Sequence, residues 1–209
     1  MPFSFRRLRR FLLTIPYTVA HWLRDHLPFV WEMAESANAK LFRLCYTHRL
    51  REIEPMAMQM AEPYEMIPIA NVPTEQLVAF FHRQPKELYR WFTPHGFDTD
   101  DVKSLQQNSS FLGYVFRKNG QIVSYFFLRC YCNGECYFGR LVDRPYMRRG
   151  IGTLMNKVSF YISESLGLES YQTIANGNIA SIRSCAKAYR LKPVRTIANG
   201  DILYKNCKL

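Results

Sequence analysis

The sequence has no apolar run long enough to cross a membrane, no internal repeat and no low-complexity tract. Its longest apolar stretch, FLLTIPYTVAHWL at residues 11–23, has 13 residues and contains Pro16, whereas a spanning helix needs about 20 residues. Four arginines between residues 6 and 10 precede it, but no small-x-small cleavage site of a signal peptide follows. Two interpretations of residues 1–30 stay open: an amphipathic helix packed on the domain, or peripheral contact with a membrane surface.

Cysteine is present without a pattern, since its six positions show no regular spacing. A chain of this length does not need disulfides to fold, so we expect a reducing, cytoplasmic compartment. The densest group is Cys130, Cys132 and Cys136, on predicted hairpin strands. It lacks an evident fourth ligand, so we predict no metal site.

Acidic residues are scarce: 17 Asp and Glu stand against 28 Lys and Arg, which gives a formal net charge of +11. This balance favours an anionic partner, either a nucleotide cofactor, a nucleic acid or a membrane surface. No element interleaves basic and aromatic residues, so we do not expect nucleic-acid binding. With 209 residues, 48% of them apolar, the chain can form one packed domain with an appendage.

Residues 1–62 are predicted to be a helical N-terminal extension, with breaks near Pro16, Pro28 and Pro55. Its clearest helix is AESANAKLFRLCYTHRLREI at residues 34–53. One face of this helix is predicted to carry Leu41, Leu44, Cys45 and Leu50. Residues 63–209 are predicted to form the domain itself.

The domain begins with a predicted strand at residues 64–70, and short helices follow at residues 74–84, 86–93 and 98–107. Three strand patterns then come in succession: FLGYVFRK, QIVSYFFLRCYC and ECYFGRLV. Asn-Gly pairs separate them at residues 119–120 and 133–134, and Asn-Gly is the strongest short signal for a hairpin. The pattern therefore predicts an antiparallel meander that ends at Val142.

A crossover unit follows the meander. An amphipathic helix is predicted from Gly150 to Leu166, and the strand pattern LESYQTIA comes next. A strand, helix and strand in this order require a parallel pair, and α/β sheets bind ligands at the carboxyl ends of such strands. A helix is predicted at residues 178–191, with Asn178 as its cap, and a third Asn-Gly pair at residues 199–200 predicts a closing hairpin. We expect a mixed α/β fold with a mostly antiparallel central sheet flanked by helices.

The turn between Val142 and this helix has the properties of a phosphate site. Gly150 and Gly152 allow a sharp turn and a close approach of the backbone to a ligand. The first amides of a helix have no intrahelical acceptor and can donate to an anion. The neighbouring Arg148 and Arg149 can pair with phosphate oxygens.

This turn resembles the pyrophosphate-binding motif of the GNAT superfamily of acyl-CoA-dependent N-acetyltransferases. The family pattern is Val-Asp-Pro-x-Tyr-(Gln or Arg)-x-x-Gly-(Ile or Val)-(Gly or Ala). Met147 departs from it, at a position that normally contributes its main-chain amide. The matching residues are Val142, Asp143, Tyr146, Gly150, Ile151 and Gly152.

The helix from Asn178 carries a second resemblance, to the family pattern Asn-x-x-(Ala or Ser)-Ile-Arg-x-Tyr-x-Lys-x-Gly-Phe. The Tyr position, which commonly protonates the departing CoA thiolate in the family, is Cys185 here. Tyr189 and Arg190 replace the Gly-Phe pair. The matching residues are Asn178, Ser181, Ile182, Arg183 and Lys187.

The two resemblances, which cover about residues 64–209, imply a GNAT fold and acetyl-CoA as the acyl donor. They imply that the amide of Leu141 or Val142 polarises the thioester carbonyl and that Asn178 and Ser181 contact the cofactor. The diphosphate would be bound by Met147, Arg148, Arg149, Gly150, Ile151, Gly152 and Thr153.

The acid and the base are left open by the sequence. Cys185 is the candidate acid, because its thiol resembles the CoA thiol chemically, and Tyr189 or water is the alternative. No Glu lies inside the central strand, and Glu135 and Glu169 lie near strand ends. His95, in the loop at residues 93–97, is the candidate base, because its reference pKa of about 6.5 suits proton abstraction. A residue that only caps the loop is the alternative for His95.

We therefore expect transfer of an acetyl group from acetyl-CoA to a primary amine. The basic balance and the aromatic content favour a small anionic acceptor, for instance a nucleotide-linked amino sugar, over a cationic polyamine or a lysine-rich tail. The alternative is a module that binds acyl-CoA without turnover and docks a partner through its N-terminal helices.

Overall fold

The computed structural model describes residues 28–197 and 199–209. The predictions for residues 1–27, including the break near Pro16 and most of the segment considered for membrane contact, lie outside the described residues. Within the described ranges, no helix combines the length and the apolar character needed to cross a bilayer.

The centre of the domain is a seven-stranded sheet in the order β1-β2-β3-β4-β5-β7-β6. Only β4 and β5 pair in parallel, and the other described neighbours are antiparallel. This confirms the predicted mixed, mostly antiparallel sheet. The strands are β1 Glu65–Pro68, β2 Phe111–Lys118, β3 Gln121–Cys130, β4 Glu135–Val142, β5 Glu169–Ile174, β6 Arg190–Thr196 and β7 Ile202–Cys207.

Helices flank the sheet on both faces. The predicted helix at residues 86–93 is only a 3-10 turn, Lys86–Leu88, and the predicted helix at residues 178–191 ends at Cys185. The chain leaves that helix early because Tyr189 is buried in the core and β6 begins at Arg190. The α-helices are α1 Pro28–Met60, α2 Thr74–His82, α3 Thr99–Gln107, α4 Ile151–Leu166 and α5 Ile179–Cys185.

Helix α1 continues through Pro55, so the break predicted there is wrong. The break predicted near Pro28 stays a prediction, because the residues that precede Pro28 lie outside the described range. Pro55 lies inside the helix, where a proline costs about 3 kcal/mol. Ile53 and Ala57, on either side of it, are buried against the sheet. This packing holds the helix together through the proline.

The buried face of α1 also differs from the prediction. Leu44 is 81% exposed, whereas Phe42, two residues earlier, is 1% exposed. Phe42, Ile53 and Ala57 lie on the same side of the helix and pack in the core with β2, β3 and α4. The second half of α1 is therefore part of the core of the domain, and the boundary at residue 62 stays a prediction.

Two cores cover the two faces of the sheet. On the face that we call the α4 face, α1 and α4 pack against side chains such as Phe126 and Phe138. On the opposite face, which we call the aromatic face, α2 and α3 pack against Val115, Tyr125 and Phe127. A smaller third cluster joins Cys185 and Tyr189 to Ile174 on β5.

The three predicted Asn-Gly hairpins are present, and the first of them has the type I′ geometry that Asn-Gly favours. Asn119 and Gly120 both have positive φ, 50° and 77°. At residues 133–134 only Gly134 does, with φ 93°, and the Asn133 side chain instead accepts a hydrogen bond from the Glu135 N–H at 3.0 Å. This local bond lengthens the turn, so β3 ends at Cys130.

Candidate functional site

Strands β4 and β5 pair over a short distance and then part. Their ladder joins Glu135 to Glu169 and ends where Tyr137 meets Tyr171. Beyond that point β4 pairs only with β3, as far as Val142, and β5 only with β7, as far as Ile174. An opening therefore lies between the carboxyl ends of the two parallel strands, where α/β sheets bind ligands.

The loop that follows β4 is fixed to α2 through Asp143. This carboxylate, 7% exposed, accepts a hydrogen bond from Arg83 Nη2 at 2.8 Å and one from Gln84 Nε2 at 3.1 Å. Asp143 itself donates its backbone N–H to the Val123 carbonyl. The motif aspartate thus anchors the start of the loop.

The loop then turns into α4 through two left-handed residues. Arg148 has φ 61° and Gly150 has φ 84°. A side chain at Gly150 would meet no atom within 4 Å, so glycine is favoured there by backbone conformation and not by space. The left-handed turn brings the start of α4 back over the end of β4.

The start of α4 carries unused donors. The first bond of the helix runs from the Leu154 N–H to the Gly150 carbonyl at 3.0 Å. The N–H groups of Ile151, Gly152 and Thr153 precede it and have no intrahelical acceptor. Together with the helix dipole they favour an anion.

The remaining residues of the predicted phosphate loop lie around this helix end. Arg148 and Arg149 are exposed, and the Arg149 guanidinium stacks 5.3 Å from the centre of the Tyr146 ring. The Met147 N–H donates to the Arg144 carbonyl at 3.3 Å, so this amide takes part in the turn itself. Residues 147–153 are therefore brought together in one place.

Helix α5 forms the other wall of the opening. The Asn178 side chain caps it by accepting the Ser181 N–H at 3.1 Å. A Cβ at Gly152 would lie 3.1 Å from the Ser184 hydroxyl oxygen, so glycine allows α4 and α5 to approach closely here. The side chains of Leu141 and Val142 pack on opposite faces of the sheet.

Cys185 and Tyr189 lie behind this wall, and both are 0% exposed. The Tyr189 hydroxyl donates to Cys185 Sγ at 3.6 Å and accepts from Gln172 Nε2 at 2.8 Å. Burial, followed by the neighbouring Cys185, raises the pKa of Tyr189 well above its ordinary value. The structure thus brings the two candidate acids together.

Sequence patterns did not identify two polar residues of this cluster. Arg140 Nη2 donates to Ser181 Oγ at 2.9 Å and lies 3.6 Å from Cys185 Sγ. Asn156 Nδ2 donates to Ser184 Oγ at 3.1 Å. The two-residue period of β4 could have identified Arg140, because it places this side chain on the same face of the sheet as Phe138 and Val142.

His95 lies on the aromatic face, away from this cluster. Its Nδ1 is 2.6 Å from the Gly96 carbonyl oxygen, and its Nε2 is 3.0 Å from the Tyr125 hydroxyl. Nδ1–H must donate to the carbonyl, so Nε2 accepts from Tyr125. Burial lowers the pKa of His95 to about 4. The predicted base therefore has both ring nitrogens engaged.

A surface pocket of about 460 Å³ lies beside the predicted phosphate loop. One wall comes from the residues after α2 and includes Trp91, which is 39% exposed. The other comes from Arg144 and Met147, and Glu87 adds a carboxylate. Sequence patterns did not indicate this pocket. Elsewhere among the described residues, no three His, Cys, Asp or Glu side chains are grouped so that they could hold a metal ion.

Comparisons with known proteins identify this architecture. No family model matches the sequence, and no curated protein matches it. Among solved structures, the GNAT domain of S. lividans PAT is similar, with a TM-score of 0.58 and 14% identity over 68% of this chain and 89% of that one.

Two further structures give the same result. The microcin C7 self immunity acetyltransferase MccE, in complex with acetyl-CoA and AMP, has a TM-score of 0.55 and 15% identity over 70% of this chain and 93% of that one. The acetyltransferase AAC(6')-Ib, with paromomycin and acetyl-CoA, has a TM-score of 0.52 and 15% identity over 69% and 92%. The chain therefore has the GNAT acetyltransferase fold.

Proposed function

We propose that this protein is an N-acetyltransferase that transfers an acetyl group directly from acetyl-CoA to a primary amine. The observation that carries the proposal is the opening between β4 and β5, which has the unused amides of α4 at its mouth. A long, thin cofactor with a diphosphate suits such a site, because its phosphates can accept from these amides while its arm enters between the strands.

The residues present fit coenzyme A in charge and in shape. Arg148 and Arg149 stand exposed beside the helix end and can pair with phosphate oxygens. Gly150 holds the turn in its left-handed form, and Gly152 leaves room at the first turn of the helix. On the opposite wall, Asn178 and Ser181 would contact the arm of the cofactor.

The acceptor is proposed to be a small molecule that binds near the pocket of Trp91 and Glu87. An indole face offers stacking area, and a carboxylate pairs with an ammonium group. Among the similar structures, AAC(6')-Ib is bound to paromomycin and MccE to AMP. An amino sugar linked to a nucleotide combines an amine with an anionic body, and it remains our proposed acceptor class for this basic chain.

The first experiment tests cofactor binding by isothermal titration of the protein with acetyl-CoA, using Gly150→Val as the site variant. A β-branched residue cannot easily hold φ 84°. We expect the affinity to fall about a hundredfold, the scale of losing two or more charge-assisted hydrogen bonds. Gly120→Val is the matched control, because Gly120 has φ 77° and an equally open surrounding in the hairpin of β2 and β3. Equal losses in both variants would contradict a cofactor role of the α4 turn.

A second experiment separates an enzyme from a binding module. Thiol release from acetyl-CoA is followed against a panel of amines that includes amino sugars, nucleotide-linked amino sugars, aminoglycosides and polyamines. Amine-dependent release supports the transferase. Acetyl-CoA binding without any amine-dependent release would favour the module that docks a partner through its N-terminal helices, and absence of binding would reject both functions.

A further inference from the structure

Arg140 occupies the part of β4 that has left its parallel partner. Its guanidinium reaches across the opening to β5, where Nη1 donates to Gln172 Oε1 at 3.4 Å. It also reaches α5, where Nη2 donates to the hydroxyl of Ser181 at 2.9 Å. Gln172 is the first residue of β5 beyond the last paired position, Tyr171. The guanidinium therefore lies at the closed end of the opening.

The charge of Arg140 is not neutralised by the protein around it. Among residues 28–197 and 199–209, no carboxylate oxygen lies within 4.0 Å of this guanidinium. Its hydrogen-bond partners are the side chain and carbonyl of Ser181, the Gln172 amide and the Cys185 thiol, which are all neutral acceptors. A half-buried cation without a counter-charge is costly. An anion that enters the opening would remove this cost.

The relative burial of the side chains along the opening decides which of them an entering anion contacts first. Cys185 and Tyr189 are both 0% exposed, whereas Arg140 is half-buried. Arg140 Nη2 lies 3.6 Å from Cys185 Sγ, and Tyr189 lies behind Cys185 at a further 3.6 Å. A group at the end of the opening therefore contacts Arg140 before it can contact either candidate acid.

We propose that Arg140 is a catalytic residue that binds the sulfur of the leaving thiolate. The inference rests on the proposed function. The amine nitrogen forms a bond to the thioester carbonyl carbon, and the carbon–sulfur bond breaks with its electron pair on sulfur. The thiolate is held by the Arg140 guanidinium, and the proton lost by the amine goes to solvent. Arg140 donates hydrogen bonds and no proton, because a guanidinium stays protonated in proteins.

A purely structural Arg140 would tie β4, β5 and α5 together without touching the sulfur. The two roles differ in their effect on the CoA thiol, since only a contact with sulfur lowers its pKa in the complex. The measurement is therefore an ultraviolet titration of the thiolate of CoA bound to the protein. It needs no acceptor and no turnover.

The variants are Arg140→Met, Arg140→Lys and the control Arg190→Met, which removes an exposed arginine at the start of β6. We expect the pKa of the bound thiol to lie below that of free CoA in the wild type, and to rise in Arg140→Met. We expect Arg140→Met to lose roughly tenfold to a hundredfold in turnover, as when one donor to a developing anion is removed. Arg140→Lys keeps the charge and should recover part of both effects, and Arg190→Met should change neither.

ADP binding distinguishes the thiolate from the diphosphate as the anion at Arg140. If Arg140 binds sulfur, Arg140→Met leaves the affinity for ADP unchanged. If the variant weakens ADP and CoA equally, or if the thiol titrates identically in wild type and in both Arg140 variants, the inference is overturned. A wild-type protein that does not bind acetyl-CoA would instead reject the proposed function, so the two failures can be told apart.

Discussion

His95 and Arg140 lie on opposite faces of the same sheet, and each is a titratable or charged side chain that is half-buried. His95 sits among aromatic rings, and each of its nitrogens has a partner. Within residues 28–197 and 199–209, Arg140 bonds only to neutral acceptors, and no carboxylate compensates its charge. The first arrangement is complete without a ligand, whereas we propose that an anion completes the second.

We therefore expect the two faces of the sheet to divide stability from binding. On the aromatic face, rings of α2, the loop at residues 93–97 and strand β3 stack edge to face at centroid distances near those favoured for aromatic pairs. Around the opening the side chains are polar and the backbone amides of α4 are unused. Changes on the aromatic face should alter folding, and changes around the opening should alter ligand binding.

The largest expected effect is on the aromatic face. Phe81 is 1% exposed and contacts the rings of His95, Phe97 and Tyr125. Phe81→Ala should lower the free energy of unfolding by about 3 to 5 kcal/mol, because a buried ring leaves a cavity. Urea denaturation measures this loss. The affinity for acetyl-CoA, measured below the unfolding transition, should stay unchanged.

The control for this variant is Phe29→Ala. Phe29 is 70% exposed at the start of α1, so its truncation should change the free energy of unfolding by less than about 0.5 kcal/mol. A loss of acetyl-CoA affinity in the folded Phe81→Ala protein would show that the aromatic face takes part in binding, and the division between the two faces would fail.

The fold was largely predictable because its signals are local. Asn-Gly pairs, the glycine turn after Val142 and the Asn178 cap each specify a turn or a helix start within a few residues. The left-handed turn before α4 was predictable for the same reason, whereas its binding of a diphosphate stays a prediction. Helix α1 was not, because its packing through Pro55 depends on contacts with strands that lie more than fifty residues away in sequence, such as the hydrogen bond from the Tyr114 hydroxyl to Glu54 at 2.9 Å.

The next expected effect is on the pH dependence of stability. The pKa of His95 is lowered from 6.5 to about 4 in the folded protein, mainly by burial. Between these two values the unfolded chain binds more protons at this site, so stability is fully present above pH 6.5 and falls as the pH falls towards 4. The shift corresponds to about 3 kcal/mol. In His95→Gln this contribution is absent.

Urea denaturation at several pH values in this window compares the two proteins. Carboxylates elsewhere lower the stability of both proteins as the pH falls. The quantity compared is therefore the slope of the free energy of unfolding against pH, in wild type and in His95→Gln. Parallel slopes would mean that His95 titrates normally. It would then be accessible enough to act as the base that the sequence predicted, and the contrast with Arg140 would weaken.

The candidate acids show why a site cannot be completed from sequence alone. Cys185 aligns with a family tyrosine, but the alignment does not show how far its side chain is buried. That burial depends on how closely α5 packs against β5 and α4. Here a glycine at position 152 lets α5 approach α4 closely. Arg140 belongs to no sequence motif. Its proposed role follows only from the separation of β4 and β5, which brings residues 140, 172, 181 and 185 together.

The smallest expected effect concerns Tyr189. Tyr189→Phe removes the acceptor of the Gln172 Nε2 hydrogen bond, and this amide keeps a second bond to Asn206 Oδ1 at 2.6 Å. The free energy of unfolding should therefore fall by only about 1 kcal/mol, and turnover should not change, since Arg140 separates Tyr189 from the opening. Tyr204→Phe is the control in the same cluster, because its hydroxyl makes no hydrogen bond among the described residues. A drop in turnover for Tyr189→Phe alone, with the alkaline limb of the pH profile lost, would make Tyr189 the proton donor, and the thiolate would then not depend on Arg140.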